Sequence, residues 1–281
     1  MENLISSQWL ADHIGTPDLV VLDASAHLPD AQRDAAAEFA AAHIPGARFL
    51  DLASFTDPDS PVPSALPTAK QFAQRMASLG VGTGMRVVVY DDSYVKTAAR
   101  AWFILRMHGV KQVAILDGGL GKWRSEGRAL EAGVTDVAPV AHTASQGPAP
   151  VRSKADVLAN ISSAKEQLVD ARGARRFTGE DKDFRPNVAD GHIPGSRNVV
   201  FDSVLNADGT YKSADEIRAA FTAAGVDLTQ PVVTTCGGGV TAAVLLFALE
   251  RAGKHDVALY DGSWSEWGTD PALPKELGPA R

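Results

Sequence analysis

HIPGARFLD at residues 43–51 returns as HIPGSRNVVFD at 192–202, and this pair of turns decides the fold. Three more pairs keep the same order along the chain. VVLDAS at 20–25 matches LVDARG at 168–173, RVVVYDD at 86–92 matches PVVTTCG at 231–237, and AILDGGLGKW at 114–123 matches ALYDGSWSEW at 258–267. The spacing drifts from 149 residues (43 to 192) to 144 (114 to 258), as expected where loops gain or lose residues. A repeat this long means two whole domains and not a solenoid. Between them, VTDVAPVAHTASQGPAP at 134–150 lacks any sustained periodicity and reads as a linker, which leaves domains at 1–133 and 151–281.

Each half alternates strand and helix. The apolar runs Val20–Leu22, Val87–Tyr90 and Val113–Leu116, then Gln167–Val169, Val232–Thr234 and Val257–Leu259, have the length and β-branched content of buried parallel strands. Helix-period segments lie between them: Ala69–Leu79, Ala98–Met107, Ala214–Ala223 and Thr241–Arg251. The expected class is α/β, with each domain a parallel sheet flanked by helices on both faces. Ligands of such sheets bind where strands end and loops lead into helices. That rule points to residues 91–97 in the first half and 236–241 in the second.

The 281 residues carry 27 basic and 34 acidic side chains, a net charge of −7, which argues against a nucleic-acid partner that must be met by a basic surface. Apolar residues at 45% and charged residues at 22% suit a packed globular chain. No apolar run approaches the ~20 residues that cross a bilayer, so no membrane partner is expected. The start, MENLISSQWLADH, lacks the basic-then-apolar pattern of a secretory signal. Cys236 is the only cysteine, so intrachain disulfides are impossible and a reducing, cytoplasmic location is expected.

The repeat permits a comparison of one half with the other. Asp23/Asp170, His43/His192, Gly46/Gly195, Asp117/Asp261, Gly118/Gly262 and Trp123/Trp267 occur in both and read as scaffold. His192 alone suggests a base, but its twin His43 stands in a half with no nucleophile, so a turn-stabilising role is expected for both. The halves part after the central strand. The first reads Asp91-Asp92-Ser93-Tyr94-Val95-Lys96; the second reads Cys236-Gly237-Gly238-Gly239-Val240-Thr241. Three glycines between a strand and a helix allow the backbone to aim N–H groups inward as an anion nest, and the helix start adds positive potential. That setting favours a thiolate, or a persulfide carried on it. Arg176 and Arg185 also belong to one half only, where bare offsets place Pro29 and Ala36 in the other. They lie in the loop after the strand neighbouring that of Cys236, suited to bind a carboxylate or sulfonate. Arg172 and Arg175 read as solvated surface residues.

With these motifs the chain resembles the two-domain rhodanese-type sulfurtransferases. Phe39-x3-His43-Ile44-Pro45-Gly46-Ala47-x2-Leu50 is similar to the family's N-terminal signature, and Val257-x2-Tyr260-Asp261-Gly262-Ser263-Trp264-x-Glu266-Trp267 to its C-terminal one. The CGGGVTA loop, paired with an Asp-bearing inactive first domain, completes the pattern. The resemblance implies tandem rhodanese-like domains and covalent catalysis. Cys236 would take sulfur from a small-molecule donor and pass it to a nucleophilic acceptor, with Gly237, Gly238, Gly239, Val240 and Thr241 as the active loop. The neutral loop and the two arginines are similar to the 3-mercaptopyruvate branch, in which Arg176 and Arg185 would bind the donor's carboxylate and carbonyl. The thiosulfate branch, which carries basic residues after Cys, is the second reading.

The sequence departs from the mercaptopyruvate pattern at three places. That branch often carries a loop Ser assisted by an Asp and a His, and those positions read Gly238, Ala53 and Ser64. A phosphatase of related fold needs Cys-x5-Arg, but the sixth residue after Cys236 is Ala242. A non-catalytic binding module is the other rival, and it leaves a cysteine in a glycine nest without a purpose. A lone cysteine cannot resolve its own persulfide, so an external thiol, a thioredoxin-like protein or cyanide is the expected acceptor. No metal-ligand spacing and no dinucleotide loop occur, so neither metal nor cofactor is expected.

Overall fold

The computed structural model describes residues 1–134, 136–147 and 150–280. Of the expected linker, Thr135, Pro148 and Ala149 lie outside the described residues. Among the described residues, ten strands run in chain order: β1 Leu4–Ile5, β2 Leu19–Asp23, β3 Arg48–Phe49, β4 Arg86–Tyr90, β5 Val113–Leu116, β6 Val151–Arg152, β7 Gln167–Asp170, β8 Arg197–Asn198, β9 Val232–Thr235 and β10 Val257–Tyr260. They form two five-stranded sheets of the same order, β1-β5-β4-β2-β3 and β6-β10-β9-β7-β8. Every strand pair is parallel, with Val21 opposite Val88 in the first sheet and Val169 opposite Thr234 in the second. The α/β class and the repeat are both present. The chain folds as two compact units, Met1–Asp57 with Leu66–Ala149 and Ala207–Thr210, and Pro58–Ala65 with Pro150–Asn206 and Tyr211–Arg281.

The sequence explains each layer. Val87, Val88 and Val89 in the first sheet and Val232 and Val233 in the second are fully or almost fully buried, because strands covered on both faces need no polar side. The helices Thr97–Met107 and Val240–Arg251 follow the central strands and are apolar nearly all round, with Ala242 through Leu249 wholly buried. More exposed helices begin with capping boxes, Thr68 with Gln71, Ser153 with Asp156 and Ser213 with Glu216. Each N-cap satisfies orphan N–H groups and contributes about 1 kcal/mol. No described helix is long and apolar enough to cross a membrane.

Strand order positions the candidate site. The chain leaves β7 toward the edge strand β8 but leaves β9 toward β10 on the opposite side. The loops after β7 and β9 therefore diverge from the carboxyl ends of the two strands, the place where sheets of this kind bind ligands. Arg176 and Arg185 follow β7; Cys236 follows β9. The first unit has the same divergence after β2 and β4, where Asp91 stands.

Candidate active site

Cys236 directly follows β9 and is 2% exposed. Its Sγ accepts the N–H of Gly239 at 3.2 Å. Gly239 caps the helix Val240–Arg251 at φ 81°, a left-handed conformation that costs a glycine nothing and most other residues 1 kcal/mol or more, by an estimate of roughly 1–2. The carbonyls of Cys236 and Gly237 accept the N–H groups of Trp264 and Ser265, both at 2.9 Å. With its carbonyls held from behind, the loop keeps its amides for the site. Among the described residues, the N–H groups of Gly237 and Gly238 have no protein acceptor.

Ser263 pins the backbone of Cys236. Its Oγ accepts the Cys236 N–H at 3.2 Å and donates to the Tyr260 carbonyl at 2.9 Å. Ser263 sits at φ 50°, uncommon for a residue with a side chain, while its counterpart Gly119 takes φ 57°. The half with the thiol thus tolerates local strain to keep a hydroxyl on Cys236. The other half relaxes to glycine.

The first unit fills its nest with its own carboxylate. Asp91 Oδ1 accepts the Ser93 N–H at 3.0 Å, and Oδ2 accepts that of Ala98 at 2.6 Å, in the first turn of the helix Thr97–Met107. The carboxyl is buried, and desolvation pushes its pKa up. The Asp91 carbonyl accepts the Leu120 N–H at 3.0 Å, as Cys236 does that of Trp264. The two loops share a frame and differ in what occupies it.

Both predicted arginines reach the Cys236 loop. Arg176, in the short helix Ala174–Thr178, and Arg185, in the loop beyond it, meet beside Gly237. Arg185 Nη1 donates to the Gly237 carbonyl at 2.5 Å. A Cβ built on Gly237 would lie 3.4 Å from Arg185 Nη2 and 3.8 Å from Arg176 Nη2, so residue 237 borders both cations. Arg176 Nε–H is buried without an acceptor. The ring of Phe184 lies 4.9 Å from the Arg176 guanidinium and 5.3 Å from that of Arg185, yet remains 65% exposed.

Asp183 joins the two arginines, and the reading of the sequence missed it. Its side chain, 2% exposed, accepts Arg176 Nη2 at 2.7 Å and Arg185 Nε and Nη2 at 2.8 Å each. Burial alone would push this carboxyl up, but the hydrogen bonds from Arg185 and Arg176 outweigh it and hold the group well below the usual carboxylate range. The offset that sets Ala36 against Arg185 also sets Asp34 against Asp183, so comparison of the halves sees an acid in both. Asp34 merely caps the helix Ala35–Ala41. The signal was the Asp-x-Arg spacing itself.

Arg172 corrects an expectation. It is no solvated surface residue but 4% exposed, forked onto Asp170 through Nε and Nη2, bonded to the Gly191 carbonyl, and stacked 4.6 Å over Trp264. A guanidinium in this position is neutralised by its neighbour and shielded by an indole, both supplied by tertiary packing. Arg175 is exposed and pairs with Glu180 and Asp181, as expected of the surface. His192 and His43 behave as twins. Each Nδ1–H donates to a phenylalanine carbonyl at 2.8 Å, and each ring stacks on that phenylalanine, Phe177 at 3.7 Å and Phe39 at 4.0 Å. Trp123 and Trp267 likewise each donate Nε1–H to a backbone carbonyl at 2.8 Å.

The three departing positions carry neither a carboxyl nor an imidazole. A Cβ on Gly238 would find only Ser265 Oγ within 4 Å, at 3.9 Å. Ala53 belongs to the 3-10 turn Leu52–Ser54, and Ser64 takes φ 57°. Among the described residues, no group of three His, Cys, Asp or Glu side chains is placed to hold a metal ion.

Comparison with known proteins agrees with the two-domain α/β fold. The model of the rhodanese-like domain matches twice, at residues 6–126 and 153–270. The 3-mercaptopyruvate sulfurtransferase of Escherichia coli K12 is 40% identical, covering 97% of each chain. The human protein of the same name is 41% identical over 94% of this chain and 91% of its own. The crystal structure of SseA from Escherichia coli superposes with a TM-score of 0.86 at 38% identity, over 95% of this chain and all of that one. The chain belongs to the rhodanese-like family, with two copies of the domain in one polypeptide.

Proposed function

We propose that the chain is a sulfurtransferase that moves sulfur from 3-mercaptopyruvate, through a persulfide on Cys236, to a thiol or thioredoxin-like acceptor. The observation that carries this reading is a lone thiol under the open amides of a glycine loop, with two arginine cations beside the same loop. Relatives that bear the name 3-mercaptopyruvate sulfurtransferase, aligned over nearly the whole chain, support the donor. The catalytic half is 151–281, the half at 1–133 is inactive with Asp91 in the cysteine's place, and 134–150 links them. The lone cysteine favours a reducing cytoplasm.

The chemistry divides into two displacements. Cys236 thiolate attacks the donor sulfur, an S–S bond forms, and the C–S bond breaks with its electron pair left on carbon as the enolate of pyruvate. Gly238, Ala53 and Ser64 bring neither a carboxyl nor an imidazole, so the proton that converts the enolate to pyruvate comes from water or another group. Arg176 and Arg185 hold the donor's carboxylate and carbonyl oxygens, where bidentate charge-assisted bonds form best. The amides of Gly237, Gly238 and Gly239, and those opening the helix at Val240 and Thr241, face the negative outer sulfur. The acceptor thiolate then attacks that sulfur, the S–S bond breaks, and Cys236 leaves as thiolate.

The test is kcat/KM for 3-mercaptopyruvate and for thiosulfate with cyanide as the common acceptor, run on the wild type and on Cys236→Ser. The expected result is a preference for mercaptopyruvate and no turnover in the serine variant. Turnover that survives Cys236→Ser would remove the covalent mechanism, and a preference for thiosulfate would remove the donor assignment.

A further inference from the structure

Two guanidinium groups beside a sulfur-carrying loop attract any anion, so charge alone does not choose between a carboxylate and a smaller, doubly charged donor. What distinguishes this pair is the single acid between them. Asp183 uses both carboxylate oxygens on the two arginines, binding Arg185 through a fork and Arg176 through one bond. The group is itself fixed: its N–H donates to Asp190 Oδ1 at 3.1 Å, and its Oδ1 accepts the N–H of Arg185 at 3.0 Å. Both guanidinium carbons lie over the Phe184 ring, at 4.9 and 5.3 Å from its centre. With Asp183 ionised, two positive charges become a net charge of one, and the angle between the forks is held by a buried side chain.

We propose that Asp183 is a positioning residue that sets donor choice, by cancelling one of the two arginine charges and fixing both forks for a donor with one carboxylate and one neutral carbonyl. The inference rests on the sulfurtransferase reading above. The mercaptopyruvate anion needs two correctly angled forks and only one unit of charge. Thiosulfate is a compact dianion, which gains from extra positive charge and needs less angular order. Removing the Asp183 charge therefore acts on the two donors in opposite directions. A carboxylate that merely stabilised its loop would affect both alike.

The experiment measures kcat and KM for both donors, with cyanide as acceptor, in the wild type, Asp183→Asn and Asp183→Glu. The ratio of the two kcat/KM values does not depend on how much of a variant is folded, so it stays readable in an unstable one. Asp183→Asn is expected to raise KM for mercaptopyruvate by about tenfold to a hundredfold, the range of a lost hydrogen bond to a charged group, with a smaller change in kcat. KM for thiosulfate falls in the same variant. Asp183→Glu keeps the charge and keeps the wild-type KM for thiosulfate. A donor ratio unchanged in Asp183→Asn overturns the proposal, even if both donors slow together, and so does a glutamate variant that behaves as the asparagine one. The wild-type measurement judges the underlying reading separately. If the wild type takes no sulfur from mercaptopyruvate, that reading fails, while the thiosulfate KM in the two variants still upholds or overturns the charge-balancing role.

Discussion

Neighbouring glycines in the Cys236 loop differ in what they forbid. Around Gly238 an added Cβ meets nothing nearer than Ser265 Oγ at 3.9 Å, and its φ lies outside the left-handed region that Gly239 occupies at 81°. Gly238→Ser is therefore expected to leave the melting temperature within about 2 °C of the wild type, whereas Gly239→Ala costs roughly 1–2 kcal/mol of backbone strain and lowers it by several degrees. Calorimetry of the two variants checks this, and equal losses would mean a different loop backbone. At His192 the issue is protonation. Burial holds this imidazole below its ordinary value of 6.5, against the pull of the Phe177 carbonyl and Glu276. As pH falls below that value the unfolded chain binds a proton that the folded chain resists. The stability it protects is whole above the unfolded value and is lost as pH drops toward the folded one, with a slope of up to about 1.4 kcal/mol per pH unit. His192→Asn should flatten that slope in urea unfolding followed between about pH 7.5 and about pH 5, choices made to span the imidazole range. An unaltered slope would show that His192 protonates equally in both states.

Loops after the central strands show how far an element determines chemistry. Residues 237–239 separate Cys236 from its helix, while residues 92–96 separate Asp91 from its own. Asp91 reaches Ala98 across that longer span with a second oxygen that a thiol does not possess. A protein carrying both Asp91→Cys and Cys236→Ser is thus expected to gain no sulfur from either donor, by mass spectrometry of the intact chain. Sulfur on residue 91 would show that the glycine nest is not what makes a sulfur site. The same elements show what was legible beforehand. Short apolar runs announced β2, β4, β5, β7, β9 and β10, each of which gains at most a residue or two at its ends. The two-residue strands β1, β3, β6 and β8 carry no period, because two residues cannot show alternation. Arg176 and Arg185, which lie beside Gly237, stand out in the sequence because only one half has them. Asp183 was hidden by an unrelated helix cap at Asp34, and Arg172 was misjudged because Asp170 and Trp264 enclose it only after folding.

Across the whole chain, two similar folds share a single thiol. Each compact unit also takes in a short segment from the other half of the sequence, Ala207–Thr210 in the first and Pro58–Ala65 in the second. Lys122 pairs with Asp208 within the first of these units. The frame is therefore present twice and the thiol once. The measurable consequence is stoichiometry: after exposure to donor and removal of the excess, each chain should carry one added sulfur, about 32 Da, held as a reversible persulfide. No second thiol exists in the chain to displace it as an internal disulfide. The added mass should then persist without an acceptor, vanish when a small thiol or cyanide is supplied, and map to the peptide containing Cys236. Two sulfurs per chain would point either to a polysulfide on Cys236 or to a second acceptor. A persulfide that decays at the same rate with and without added nucleophile would mean that the second half-reaction does not need an external partner, against the consequence drawn from a single cysteine.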